Sequence, residues 1–139
     1  MLADFDPYGI SIMSTYKYGS HTLSHENEHL SIPSLRWLGI RSNDIRTSIL
    51  HSTGHDNNGL LTLSTTDRRR AISMLLNNAA LAENREADWR REMQLMLMLG
   101  VKAEMEIIER GDVDIAQWLA DRLQPTVLQH SQGGLTERV

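Results

Sequence analysis

Three features of this 139-residue chain predict an α/β fold. An apolar start runs into Asp4-Phe-Asp6 and then Pro7 and Gly9. Proline removes a ladder donor and glycine frees the backbone, so a strand should end here and a helix begin. Residues 35–40 are apolar enough for a second strand, and apolar side chains recur at helical spacing through the second half.

The first helix is expected over residues 9–18, with Ile10, Ile12, Met13 and Tyr16 on its apolar side and Gly19 closing it. A polar loop covers residues 20–31. Residues 41–62, with Gly54, Asn57, Asn58 and Gly59, read as a long connection with room for a short helix. Ser64-Thr-Thr-Asp67 offers capping groups for a helix running to about Leu76, ended by Asn77 and Asn78. The longest helix is expected from Asp88 to Glu109, with Trp89, Met93, Met96, Leu97, Gly100, Ala103 and Ile107 as its core stripe. Gly100 inside it costs about 1 kcal/mol relative to alanine, so it should permit close packing or mark a bend. A last helix carries Ile115, Trp118, Leu119 and Leu123 and stops before Pro125; the polar stretch 125–139 predicts a disordered tail.

With 40% hydrophobic residues the chain has enough apolar content for one domain and too little length for a two-domain enzyme. It has no cysteine, which excludes a disulfide scaffold and a thiolate zinc site. No signal peptide is apparent, and no apolar run approaches the ~20 residues a membrane-spanning helix needs, so a soluble chain with no membrane partner is expected. A net charge of -4 argues against a protein that coats DNA by bulk attraction. Basic clusters nevertheless occur at Arg36, Arg41, Arg46 and Arg68 to Arg70, while the acidic excess lies in residues 83–114 and near Asp4 and Asp6.

In an extended strand Asp4 and Asp6 would share a face and reach one hard divalent cation that also holds phosphate oxygens; the plain alternative is an aspartate-rich turn. His21, His25 and His29 at a spacing of four suggest a zinc-binding helix face, set against an ordinary connecting loop. A phosphatase-like role, with Asp4 as nucleophile and Asp6 as its acid-base partner, lacks the further lysine and acid motifs it requires. Tyr8, Tyr16 and Tyr18 show no neighbouring base that would activate a phenol, and packing accounts for them.

The segment Ala3-Asp-Phe-Asp-Pro-Tyr-Gly-Ile-Ser-Ile-Met-Ser-Thr-Tyr-Lys-Tyr-Gly-Ser20 resembles the second acidic motif of Toprim domains, in the form found in meiotic DNA double-strand-break proteins, the eukaryotic relatives of the topoisomerase VI A subunit. Further blocks follow in the family's order: Ile32-Pro-Ser-Leu-Arg-Trp-Leu-Gly-Ile40, Leu63-Ser-Thr-Thr-Asp-Arg-Arg, Trp89-Arg-Arg-Glu-Met93 and Leu99-Gly-Val-Lys-Ala-Glu104. The resemblance implies that residues 1–124 are the C-terminal part of a Toprim domain, a parallel-sheet remnant with flanking helices. It implies magnesium ligation by Asp4 and Asp6, and places Arg36, Arg68, Arg69 and Lys102 near nucleic acid; Lys102 alternatively pairs with an acid such as Glu106 or Glu109. It further implies a DNA-cleaving transesterase that acts on double-stranded DNA as a homodimer with a topoisomerase VI B-like partner, on chromosomes in the nucleus. The family's nucleophilic tyrosine and an additional metal-binding glutamate would lie upstream of Met1.

A noncatalytic remnant that keeps only a DNA or partner contact is the competing expectation. A Toprim sheet without its earlier strands would also leave an unpaired edge, which predicts association through that edge.

Overall fold

The computed structural model describes residues 1–20, 31–51, 59–82, 85–109 and 113–124. Helix α1 spans Pro7–Tyr18 and begins two residues earlier than expected, because Pro7 occupies its first turn and Asp6 caps it. Gly9 serves space rather than torsion: a Cβ there would lie 2.6 Å from the backbone oxygen of Asp4. Ile10 and Met13 are fully buried. Ile12 and Tyr16, assigned from sequence to the same apolar side, are about half exposed, at 49% and 53%.

Four extended segments lie side by side. β1 (Leu60–Thr62) pairs antiparallel with β2 (Val101–Ala103), Leu61 opposite Lys102. Ala103 then exchanges both backbone hydrogen bonds with Phe5, at 2.9 and 3.0 Å. On the far side, residues 1–3 run parallel to residues 38–40 through Leu38 N–H to the Met1 oxygen, Ala3 N–H to Gly39 and Ile40 N–H to Ala3. Among the described residues this pair is the expected parallel remnant, and the other pairings are antiparallel. Ala3 and Phe5, two positions apart, bond to opposite neighbours; a regular strand would send both to the same side, so the ladder is broken at Asp4.

The long connection contains a ten-residue helix, α2 (Ser42–His51). α3 (Thr65–Asn77) starts at a complete capping box between Ser64 and Asp67, and Asn78 both ends it and caps the short 3-10 turn Ala79–Leu81. The single long helix expected from Asp88 to Glu109 does not form. α4 (Ala87–Leu99) ends at Gly100, which takes left-handed torsions (φ 68°, ψ 24°) and donates its N–H to Met96. The chain then becomes β2, and a separate turn, α5 (Glu106–Glu109), buries Ile107 and Ile108. α6 (Ile115–Leu123) completes the order, stopping where expected.

The core gathers Phe5, Ile10, Met13, Ile40, Leu81, Met93 and Met96, all essentially inaccessible, with Trp37 and Trp89 beside them. Trp89, Met93 and Met96 confirm the first half of the predicted stripe. Residues 125–139, including the predicted tail, lie outside the described residues.

Candidate metal centre

The broken ladder at Asp4 and the start of α1 at Asp6 set the two carboxylates at one end of the extended layer, where both are half-buried. Asp4 Oδ1 accepts the N–H of Met105 at 2.9 Å, and Asp6 Oδ1 accepts that of Gly9 at 2.5 Å. Each therefore commits one oxygen to a backbone donor, and among the described residues the second oxygen of each accepts no hydrogen bond. Strand alternation is not what brings them together; the cap at Asp6 and the amide of Met105 orient them.

Burial raises the Asp6 carboxyl above its ordinary range, the Gly9 N–H opposes the shift, and the negative charge of Asp4 raises it further. Lys102 and Asp67 also act on it, with opposite signs. Asp67 is almost fully buried, at 3% exposure, and Lys102 Nζ lies 3.0 Å from its Oδ2. Burial pushes Asp67 upward, yet the Ser64 N–H, the Lys102 ammonium and the Ser64 hydroxyl outweigh it and hold the group below the usual carboxylate range. Lys102 thus pairs with Asp67 rather than with Glu106 or Glu109. Sequence reasoning saw Asp67 only as a helix cap; its ion-pair partner lies 35 positions away and leaves no local signal.

Hard carboxylate oxygens, partial burial and mutual repulsion are the chemistry a divalent cation relieves, and magnesium is commonly held by one or two carboxylates plus water. The pair fits such an ion. No group of three acids or histidines among the described residues is arranged to hold a metal.

The predicted basic residues do not form one patch. Arg68 and Arg69 sit exposed on the first turns of α3, Arg68 reaching the Leu97 carbonyl at 3.5 Å. Arg70 stacks on Tyr8, 4.0 Å from the ring centre. Arg36 lines a separate cavity with Lys17 and Arg122, at the other end of α1.

Tyr18 donates to Glu86 at 2.6 Å, and burial together with this carboxylate pushes its phenol up to about 12. That makes it a weaker candidate nucleophile than an ordinary tyrosine. Tyr8 is 40% exposed with its ring under the Arg70 guanidinium, and Tyr16 is about half exposed, so the packing expected for them is partial. His21, His25 and His29 lie outside the described residues. No helix among the described residues is long and apolar enough to cross a membrane.

The layer of extended segments, with paired acids at the head of a helix, defines an α/β domain of Toprim type. The family model of the Toprim domain shared by Spo11 and the topoisomerase 6 A-type chain matches residues 1–123. Over 108 residues the chain is 40% identical to meiotic recombination protein SPO11-1 of Oryza sativa subsp. indica, a match covering 77% of this chain and 26% of the relative. Identity is 34% over 107 residues to human meiotic recombination protein SPO11, covering 77% and 25% of the two chains. It is 34% over 111 residues to the A-type chain of the type 2 DNA topoisomerase 6 of Aeropyrum pernix, covering 78% and 28%. The chain belongs to the topoisomerase 6A/Spo11 Toprim family and spans about a quarter of the length of these relatives.

Proposed function

We propose that this chain is the metal-holding C-terminal part of the Toprim domain of a protein that makes meiotic DNA double-strand breaks, with Asp4 and Asp6 as magnesium ligands. The observation that carries the reading is the geometry of these two acids: each is anchored through one oxygen by a backbone amide, and among the described residues no donor engages its second oxygen. Their family match and the order of the sequence blocks support the same reading.

In the intact protein, acting as a homodimer with a B-type partner on nuclear chromosomes, each protomer would cut one strand of double-stranded DNA. A tyrosine oxygen would bond to the DNA phosphorus as the O–P bond to the neighbouring deoxyribose breaks, leaving a 5′ phosphotyrosine link and a free 3′ hydroxyl. Magnesium, when bound, supplies positive charge to the phosphate oxygens. Asp4 and Asp6 hold that charge in place, and Arg68, Arg69 and Lys102 lend weaker attraction to the DNA backbone. The nucleophile is not assigned to Tyr8, Tyr16 or Tyr18.

Calorimetric magnesium titration of the folded chain tests the assignment. Asp4→Asn and Asp6→Asn should each weaken affinity at least about tenfold, the loss typical of removing even an outer-shell partner. Unchanged affinity in both folded variants would remove the two residues from the site.

A further inference from the structure

At the opposite end of α1 from the acids, some ~18 Å along a twelve-residue helix, a cavity of about 390 Å3 opens between the end of α1, residues 35–41 and the start of α4. Its walls carry four cations, Lys17, Arg36, Arg41 and Arg122, in a chain whose net charge is -4. Two acids also face it. Glu86 is already engaged by Lys17 and by the Tyr18 hydroxyl, and Asp88, 79% exposed, stands 3.8 Å from Arg41.

Three of the four cationic heads stand over tryptophan rings. Lys17 lies over the Trp89 ring at 5.5 Å, Arg41 over Trp37 at 5.3 Å and Arg122 over Trp118 at 3.7 Å, so each of the chain's three tryptophans carries one of them. A guanidinium stacked by its face keeps N–H edges available for an oxyanion. Arg41 further donates to the Trp37 carbonyl at 2.9 Å, and Arg122 pairs with the buried Asp44.

Two independent observations add to the positive character of this cavity. Trp37 lines this cavity at 3% exposure, and its indole N–H is the one buried side-chain polar atom among the described residues with no hydrogen-bond partner. α4, thirteen residues long, follows Glu86, which makes no side-chain cap hydrogen bond, and Glu86 and Asp88 at this helix start line the cavity, which brings the positive end of the helix dipole to its wall. We infer that this cavity binds a phosphate-type oxyanion, held by Arg41 and Arg122 with Arg36, and completed by a small shift that gives the Trp37 indole N–H an acceptor. Nothing in this site depends on the magnesium reading.

Titration of the 15N-labelled full chain with inorganic phosphate and with phenyl phosphate, at sodium chloride-matched ionic strength, tests it through the tryptophan indole resonances. The Trp37 indole signal should move saturably. Saturation by inorganic phosphate identifies a free anion as sufficient, and saturation by phenyl phosphate alone identifies a monoester; both support the site. Arg41→Gln and Trp37→Phe should each weaken binding at least fivefold, while the charge-matched control Arg91→Gln leaves it unchanged. Shifts that fail to saturate, that sodium chloride reproduces, or that persist at full affinity in Arg41→Gln and Trp37→Phe overturn the inference.

Discussion

Asp6 and Asp67 are near neighbours with opposite titration behaviour, and stability against pH should separate them. The folded-state pKa of Asp6 lies above the ordinary 3.8, so ionising it opposes folding; that cost is absent below 3.8 and complete once pH has risen past the raised value. Asp67 is depressed, so its contribution is present above 3.8 and is lost as pH falls through the lower folded value. Asp67→Ala should therefore lower stability by about 2–3 kcal/mol at neutral pH, because it strands the Lys102 ammonium and opens the capping box. Thermal unfolding from pH 2.5 to 7 should show this deficit shrinking below pH 3.8. Asp6→Asn keeps a capping side chain while removing the disfavoured charge, and should raise the midpoint at neutral pH. A deficit for Asp67→Ala that is independent of pH would assign its effect to packing alone. The Asp67 cap was legible from Ser64-Thr-Thr-Asp67, since capping is a local pattern. Its bond to Lys102 was not, because a contact spanning 35 positions carries no periodicity.

Among the elements, the sequence pattern fails at Gly100. Helix formers flank it on both sides, so an apolar stripe can be drawn straight through, yet the left-handed torsion and the bond from the Leu63 N–H to its carbonyl convert the second half of the stripe into a strand. β1 and β2, three residues each, are too short for alternation to register. Two glycine substitutions should then behave differently. Gly100→Ala forces a left-handed alanine, about 1–2 kcal/mol, while the Arg68 guanidinium 2.8 Å from the new Cβ is a flexible tip that can move. Gly9→Ala meets the Asp4 carbonyl, which is backbone, and should cost more while also displacing both acids. Chemical denaturation of the two variants, with magnesium titration of Gly9→Ala, measures this. Equal stability loss with intact metal affinity in Gly9→Ala would show that the acids tolerate the shift.

For the whole molecule, the extended layer among the described residues is mixed, with the parallel remnant between residues 1–3 and 38–40 and antiparallel pairing beyond Phe5. On the parallel side Trp118 of α6 packs against Gly39, where an added Cβ would lie 2.6 Å from the ring. On the other, β1 has no neighbour beyond it among the described residues, and Leu61 is 41% exposed. Unpaired strand edges recruit other strands, so sedimentation should find concentration-dependent association, reduced by Leu61→Lys. A monomer at every concentration would mean that three residues of edge are too few to recruit a partner. The family and its order of blocks were legible because they are carried by short contiguous motifs. The anion cavity was not, because its walls come from four distant stretches of chain.

Residues 101–105 touch all the charges around Asp6 from one side. Lys102 grips Asp67, Ala103 exchanges hydrogen bonds with Phe5, and Met105 offers its amide to Asp4. Five consecutive positions thus work as a clasp whose spacing cannot change. A residue deleted at position 104 would pull the Met105 amide out of reach of Asp4 while Lys102 kept its hold on Asp67, leaving one carboxylate adrift beside two that stay put.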